Sequence, residues 1–160
     1  MKYKVMIVED QTMPRELFEL RVQASERFEL ALSIDNAALA DVYCLRFPVD
    51  LILMDVITRD GENGLDAAAR IKRAFPQIKI IIVTSMPECS YLKRAKEIGV
   101  ESFWYKEEQR ESLLDVMERT MNGESVYPGA SPELTLGMAS SYQFTERELD
   151  ILREITSGDT

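Results

Sequence analysis

Short apolar segments alternate with amphipathic ones from residue 4 to residue 122 of this chain. The apolar segments span residues 4–8, 28–34, 49–54, 78–83 and 101–105. Most of them are apolar on both faces, which is typical of parallel strands covered by helices on each side. The second segment also carries Glu29 and Ser33, so we expect it nearer an edge of the sheet. The pattern therefore predicts five strands.

The segments between these strands carry apolar residues at three- and four-residue spacing, which predicts helices. Pro14 is placed in the first turn of the first helix, and Asn36 can cap the second. Pro76, Gly99 and Gly123 mark the ends of the third, fourth and fifth helices. The predicted apolar sides of the five helices are, in order, Leu17, Leu20 and Ala24; Ala38, Val42 and Leu45; Leu65, Ala68, Ile71 and Phe75; Tyr91, Leu92, Ala95 and Ile98; and Leu113, Leu114, Met117 and Met121.

Strict alternation of strand and helix predicts an α/β fold whose parallel strands are joined by right-handed crossovers. We expect a flavodoxin-like five-stranded parallel sheet in the order 2-1-3-4-5, flanked by five helices. This domain is predicted to occupy residues 1–122.

Beyond residue 122 the sequence changes character. Residues 123–143 are rich in proline, glycine and serine, which predicts a linker. Residues 144–160 begin with a capping box formed by Thr145 and Glu148 and continue as one amphipathic helix. Because a single helix cannot bury its own apolar side, we expect residues 144–160 to be the first helix of a second domain that is cut short at Thr160.

The composition narrows the possible functions. With 160 residues, of which 46% are hydrophobic and 29% charged, the chain can form one folded domain and a fragment of another. No segment resembles a secretory signal or a membrane span, and Cys44 and Cys89 lack metal-like spacing, so we expect a cytoplasmic protein. The net charge of −9 argues against nucleic-acid binding by these residues themselves.

Polar side chains follow four of the five predicted strands. Glu9 and Asp10 come after the first strand, Asp55 after the third, Thr84 ends the fourth and Lys106 follows the fifth. In the order 2-1-3-4-5, strands one and three are neighbours at the point where such sheets bind ligands. Three carboxylates in one crevice repel one another unless a cation joins them, and oxygen ligands alone favour Mg²⁺. Because the chain has no histidine, these groups must carry any chemistry, and they are the parts of a phosphoryl-transfer site with Asp55 as the nucleophile.

These residues and their spacing resemble those of a bacterial two-component response regulator, in particular a receiver domain of the group with a LuxR-type helix-turn-helix output. The resemblance covers about residues 3–122, and residues 144–158 are similar to the opening helix of that output domain. It implies that Asp55 accepts a phosphoryl group and that Asp10 binds Mg²⁺ directly. By the same resemblance, Glu9 reaches the ion through water and the backbone carbonyl of Ile57 completes its coordination.

The resemblance also implies three switch residues. Thr84 matches the hydroxyl that contacts the phosphoryl group, Lys106 the lysine that binds it, and Phe103 an aromatic side chain that changes position. Two alternatives remain open from the residues themselves: Thr84 as a cap of the fourth helix, and Phe103 as an ordinary core aromatic.

Two positions depart from the family pattern. Thr58 and Arg59 replace the usual Met-Pro pair after the acceptor, in a slightly longer loop, which leaves the loop geometry and the dephosphorylation rate open. Glu107 stands where a proline often follows the phosphoryl-binding lysine, as is common in the LuxR-output group.

As a receiver, the chain would take its phosphoryl group from a sensor histidine kinase and control transcription, without being a turnover enzyme. The resemblance implies DNA binding only through a full-length output domain, a phosphorylation-dependent homodimer as one outcome, and no membrane contact. A degenerate receiver that acts as an interaction module without phosphorylation is the alternative. Haloacid dehalogenase chemistry needs a second aspartate where this chain has Ile57, and nucleotide binding needs a glycine-rich loop that residues 9–13 lack.

Overall fold

The computed structural model describes residues 1–61, 63–86, 88–107 and 112–129. Within these ranges strand and helix alternate five times, as the hydrophobic pattern predicts. The strands are Tyr3–Val8 (β1), Phe28–Ile34 (β2), Leu51–Met54 (β3), Lys79–Thr84 (β4) and Ser102–Tyr105 (β5). The helices are Thr12–Ala24 (α1), Ala40–Arg46 (α2), Gly64–Ala74 (α3), Cys89–Ile98 (α4) and Leu113–Met121 (α5).

The strands form one parallel sheet in the order β2-β1-β3-β4-β5, which confirms the predicted α/β fold. Val8 pairs with Met54, so β1 and β3 end at the same level, and Met54 pairs with Ile82, so β4 runs two residues further, to Thr84. Because the strands are parallel, the loops after β1, β3, β4 and β5 all emerge at this edge. The register therefore brings together the polar residues that follow the strands.

Two apolar clusters cover the two faces of the sheet. Helices α2, α3 and α4 pack on one face, and α1 and α5 pack on the other. The central strands β1, β3 and β4 lie between them with nearly every apolar side chain buried. The central strands, after which the polar residues follow, are thus covered on both faces.

The predicted apolar side of α1 is wrong. Leu17 and Leu20 are 47% and 64% exposed, and the helix instead buries Phe18 and Val22. The Phe18 ring meets the Trp104 ring edge-on, with 6.5 Å between the ring centroids. Both sets of residues have helical spacing, and the aromatic contact with β5 decides which one faces inward.

The predicted inward face of α2 is also wrong, because Val42 and Leu45 are exposed while Ala40 and Cys44 are buried. A short 3₁₀ turn at Ala37–Leu39 precedes the helix, and Asn36 caps this turn by accepting a hydrogen bond from the Ala38 N–H at 2.9 Å. The α-helix therefore begins only at Ala40, and its small residues turn toward the sheet. Burial raises the pKa of the Cys44 thiol to about 11, in keeping with a packing role.

The chain leaving α5 returns to β5. The Phe103 N–H donates to the Val126 carbonyl at 2.9 Å, and the Val126 N–H donates to the Ser102 hydroxyl at 3.1 Å. The Ser102 and Thr120 hydroxyls, both fully buried, lie 2.6 Å apart. These bonds fix residue 126 against the edge strand beside Phe103.

The predicted domain boundaries remain predictions. From residue 130 onward, the predicted linker and the helix at 144–160 lie outside the described residues. Among the helices that the structure describes, none is long and apolar enough to cross a lipid bilayer.

Candidate metal and phosphoryl-transfer site

Three carboxylates meet at the carboxyl edge of the sheet. Glu9 and Asp10 follow β1, and Asp55 follows β3, the neighbouring strand. One carboxylate oxygen from each lies within 4.8 Å of the others. Glu9 is completely buried and Asp55 nearly so, whereas Asp10 is partly exposed. The structure thus brings together the three carboxylates that the sequence singles out.

Lys106 supplies the opposing positive charge. Its ammonium nitrogen lies 2.7 Å from Glu9 Oε1 and 3.3 Å from Asp55 Oδ2. The Lys106 backbone N–H donates to the Thr84 carbonyl at 2.9 Å, so the residue extends the pairing of β4 with β5. Because the lysine is mostly buried, this pairing is screened less by water than a surface ion pair would be.

Asp55 is poorly stabilised as an anion in this arrangement. Its burial, and then the negative charge of Glu9, raise the pKa of Asp55 to about 7, although the Lys106 ammonium opposes the change. One lysine therefore does not fully balance three crowded carboxylates. A divalent cation at this position would relieve the repulsion.

The donor set fits Mg²⁺. The side chains of Glu9, Asp10 and Asp55 offer only hard oxygen atoms, which Mg²⁺ prefers, and no nitrogen or sulfur ligand stands among them. Partial exposure of Asp10 leaves room for the water molecules that Mg²⁺ usually retains. The geometry and the charge both suit a hydrated divalent ion.

The loop after Asp55 fixes the direction of its carboxylate. The Val56 N–H donates to Asp55 Oδ1 at 2.8 Å, so Oδ2 is the oxygen that faces Lys106. The Gly64 N–H donates to the Val56 carbonyl at 2.6 Å, and the Ile57 backbone pairs with that of Asn63. The predicted metal ligand, the Ile57 carbonyl, therefore belongs to a backbone segment tied to the start of α3.

Thr84 and Phe103 are both buried, but they occupy different levels of the sheet. The Thr84 hydroxyl accepts a hydrogen bond from the Met86 N–H at 3.1 Å. In the β4–β5 register Thr84 lies opposite Tyr105, and Phe103 lies opposite Ile82. Phe103 packs between Tyr105 and Tyr127, with ring centroids 5.3 and 6.1 Å away.

Sequence reasoning missed three contributors to this site. Tyr105 is the buried residue across from Thr84, and its place in an aromatic strand was the only available signal. Arg15 on α1 donates to the Glu9 carbonyl at 3.1 Å. Gly64 lies so close to Asp55 that a Cβ atom there would be 1.8 Å from the Asp55 carbonyl oxygen. The local sequence gives no sign of the Arg15 contact or of the close approach of Gly64 to Asp55.

Comparison with known proteins gives the family of this chain. The sequence model of the family described as "Response regulator receiver domain" matches residues 5–118. The response regulator protein VraR of Staphylococcus epidermidis is 32% identical over 166 residues, which cover 99% of this chain and 78% of VraR.

Two solved structures share the fold. A LuxR-family DNA-binding response regulator from Staphylococcus aureus has 25% identity and a TM-score of 0.65, over 75% of this chain and 96% of that one. A LuxR-family two-component response regulator from Aurantimonas sp. has 19% identity and a TM-score of 0.74, over 87% of this chain and 96% of that one. The second likeness is a likeness of fold alone.

Proposed function

This chain belongs to the response regulator receiver domain family, and we propose that it takes a phosphoryl group from a sensor histidine kinase onto Asp55. The observation that carries the proposal is the meeting of Asp55 with Glu9, Asp10 and the Lys106 ammonium at one edge of the sheet. The chain acts as a signalling protein that is modified, and not as a turnover enzyme. Its partners are the kinase, a second copy of the receiver after phosphorylation, and DNA through a complete output domain in the cytoplasm.

The chemistry is nucleophilic displacement at phosphorus. An Asp55 carboxylate oxygen forms a bond to the phosphorus atom while the bond from phosphorus to the donor histidine nitrogen breaks, and its electron pair stays on the imidazole. Asp55 must be ionised to attack, and the Lys106 ammonium 3.3 Å away favours the ionised form. The Val56 N–H holds the carboxylate in one orientation.

Mg²⁺, when bound, neutralises charge on the carboxylates and on the incoming phosphoryl group. Asp10 and Asp55 would hold it directly, with the Ile57 carbonyl as a further ligand and Glu9 acting through water. The ion pair between Glu9 and Lys106 supports this division, because one Glu9 oxygen is already occupied.

Intact-mass analysis after incubation with acetyl phosphate and Mg²⁺ tests the proposal. The parent protein is expected to gain one phosphoryl group in the readily hydrolysed form typical of an acyl phosphate. The Asp55→Asn variant is expected to gain none, because its side chain has lost the nucleophilic oxygen. Asp50→Asn is the matched control: Asp50 precedes the same strand at its opposite end and accepts a hydrogen bond from the Lys4 N–H.

Equal labelling of the parent and of Asp55→Asn would assign the nucleophile to another residue. No labelling of the parent would favour the degenerate receiver, which binds partners without being modified. Loss of labelling in Asp50→Asn would show that any damage to β3 abolishes the reaction.

We further propose that phosphorylation is read out through Thr84, Phe103 and Tyr127. A phosphoryl group beside Lys106 would draw the Thr84 hydroxyl away from the Met86 N–H, freeing space near the aromatic residues. The Phe103 ring contacts the Tyr127 ring, and the Tyr127 hydroxyl donates to the Val100 carbonyl at 2.6 Å. Tyr127 lies on the segment that leads toward residues 130–160, which supports a route from the site to an output domain.

Amide hydrogen exchange with and without a beryllofluoride phosphoryl mimic tests this route. We expect the mimic to change the exchange rates of Phe103 and Val126 by about tenfold, a change of about 1.4 kcal/mol in local opening. Thr84→Ala, which has no hydroxyl to move, should bind the mimic without that change. Unaltered exchange at both amides in a protein that binds the mimic would contradict the coupling.

A further inference from the structure

The loop after the acceptor is tied to the loop that precedes α2. The Ala37 N–H donates to the Thr58 hydroxyl at 3.0 Å, in a buried position. The Arg59 N–H donates to the Asp35 carbonyl at 3.1 Å, and the Arg59 guanidinium pairs with the Asp35 carboxylate at 2.8 Å. All three contacts are made by the two residues that replace the common Met-Pro pair.

The three contacts are not equal. The Arg59 and Asp35 side chains are 57% and 43% exposed, and an ion pair exposed to water contributes little to the stability of the fold. The Arg59 N–H belongs to the backbone and survives any side-chain substitution. The Ala37 N–H is different, because Ala37 is fully buried and Thr58 nearly so. A buried donor that loses its acceptor carries the full cost of desolvation. The Thr58 hydroxyl is therefore the side-chain contact that matters.

Thr58 holds one end of the segment that contains the candidate metal ligand. On one side of Ile57, the Val56 carbonyl accepts from the Gly64 N–H at 2.6 Å. On the other side, Thr58 is fixed by its hydroxyl, and its carbonyl accepts from the Gly61 N–H at 3.0 Å. The Ile57 backbone thus lies between two residues, Val56 and Thr58, that are held by hydrogen bonds. Mg²⁺ demands near-ideal octahedral geometry, so its affinity depends on how firmly a backbone ligand is held.

We propose that Thr58 is a positioning residue for the metal site: its hydroxyl clamps the acceptor loop to the β2–α2 connection and so holds the Ile57 backbone in place. The clamp does the stiffening that proline supplies by its fixed φ angle where proline is present in this loop. The inference rests on the proposed function, because it assumes that Ile57 and the carboxylates hold Mg²⁺.

The clamp is tested by calorimetric titration with Mg²⁺ and by hydrogen exchange of the Ala37 amide. The measurements are made on the parent and on three variants: Thr58→Val, Thr58→Ser and Arg59→Gln. Thr58→Val keeps the shape of threonine and removes the acceptor. We expect it to weaken Mg²⁺ binding about tenfold, the equivalent of about 1.4 kcal/mol, and to speed exchange at Ala37. Thr58→Ser retains the hydroxyl and should bind Mg²⁺ within about twofold of the parent, as should Arg59→Gln, which changes only the exposed pair.

The titration is made on folded protein, so a purely structural role for Thr58 would lower the free energy of unfolding without changing the Mg²⁺ affinity. That result, in a parent that binds Mg²⁺ and is labelled on Asp55, overturns the clamp alone. A parent that neither binds Mg²⁺ nor is labelled overturns the proposed function and the clamp with it. Should Thr58→Val not fold, Thr58→Ala takes its place with the same expected loss of affinity.

Discussion

The Gly64→Ala substitution is expected to lower the free energy of unfolding by about 3 kcal/mol, the upper part of the range for overpacking a well-filled interior. An alanine Cβ would lie 1.8 Å from the Asp55 carbonyl oxygen and 2.9 Å from its carbonyl carbon. Both are backbone atoms, so no flexible side chain can move aside. Withdrawing the start of α3 would break the hydrogen bond from the Gly64 N–H to the Val56 carbonyl. Urea unfolding followed by the fluorescence of Trp104, the single tryptophan, measures the change.

The same substitution should also weaken Mg²⁺ binding, because the collision is with Asp55, whose carboxylate belongs to the proposed metal site. Gly61→Ala is the control in the same loop. Gly61 has a φ of +74° and no atom within 4 Å of an added Cβ, so alanine there meets only the left-handed backbone cost of about 1–2 kcal/mol. If Gly64→Ala matched Gly61→Ala in stability and bound Mg²⁺ like the parent, the close approach of α3 to Asp55 would not constrain the site.

The arrangement of the strands was predictable because it depends on regular features of the sequence. Apolar strands such as Ile78 to Val83 and amphipathic helices alternate without interruption, and alternation of this kind allows few topologies. The fold in turn predicted that residues after β1, β3 and β5 would meet. Asp55 and Lys106, which are 51 positions apart in sequence, do lie within 3.3 Å of each other.

The inward faces of α1 and α2 were not predictable from periodicity. In α1 the leucine stripe and the stripe of Phe18 and Val22 both recur at helical spacing, and only contact with Trp104 separates them. In α2 the 3₁₀ turn before Ala40 shifts the start of the helix, which rotates every later residue. Helix-face assignment fails where the competing stripes are similar or where the start of the helix is misplaced.

Contacts between loops could not be predicted from the sequence either. The bond between Ala37 and Thr58 joins two connections that pack together only in the folded sheet. The complete burial of Glu9 and its ion pair with Lys106 were not indicated by the sequence either. Such details depend on distances between side chains from different strands, and spacing along the chain does not encode them.

In the absence of divalent ions, Asp55→Asn is expected to be more stable than the parent at about pH 8, by up to about 4 kcal/mol, since each pKa unit corresponds to about 1.36 kcal/mol. The pKa of Asp55 is raised from its ordinary 3.8 to about 7 by burial and by Glu9. Between these two values the folded protein binds more protons than the unfolded chain, so the stability of the parent falls as the pH rises through this window. Asparagine carries no charge at any pH, so the Asp55→Asn variant does not lose stability in this way as the pH rises. The ion pair of Glu9 with Lys106 remains in the variant.

Urea unfolding in EDTA from about pH 5 to about pH 8 measures this difference, which should widen with pH and level off above about pH 7, where Asp55 is ionised in both states. Adding Mg²⁺ should raise the stability of the parent, because a ligand of the folded state stabilises it in proportion to its occupancy. The gain should be smaller in Asp55→Asn, which has lost one of the three carboxylates. Asp50→Asn, which removes a carboxylate at the far end of β3, is the matched control for the loss of one acidic side chain. A difference between Asp55→Asn and the parent that does not depend on pH would mean that Asp55 carries no excess charge repulsion in the folded protein, and the electrostatic case for a cation at this edge would fail with it.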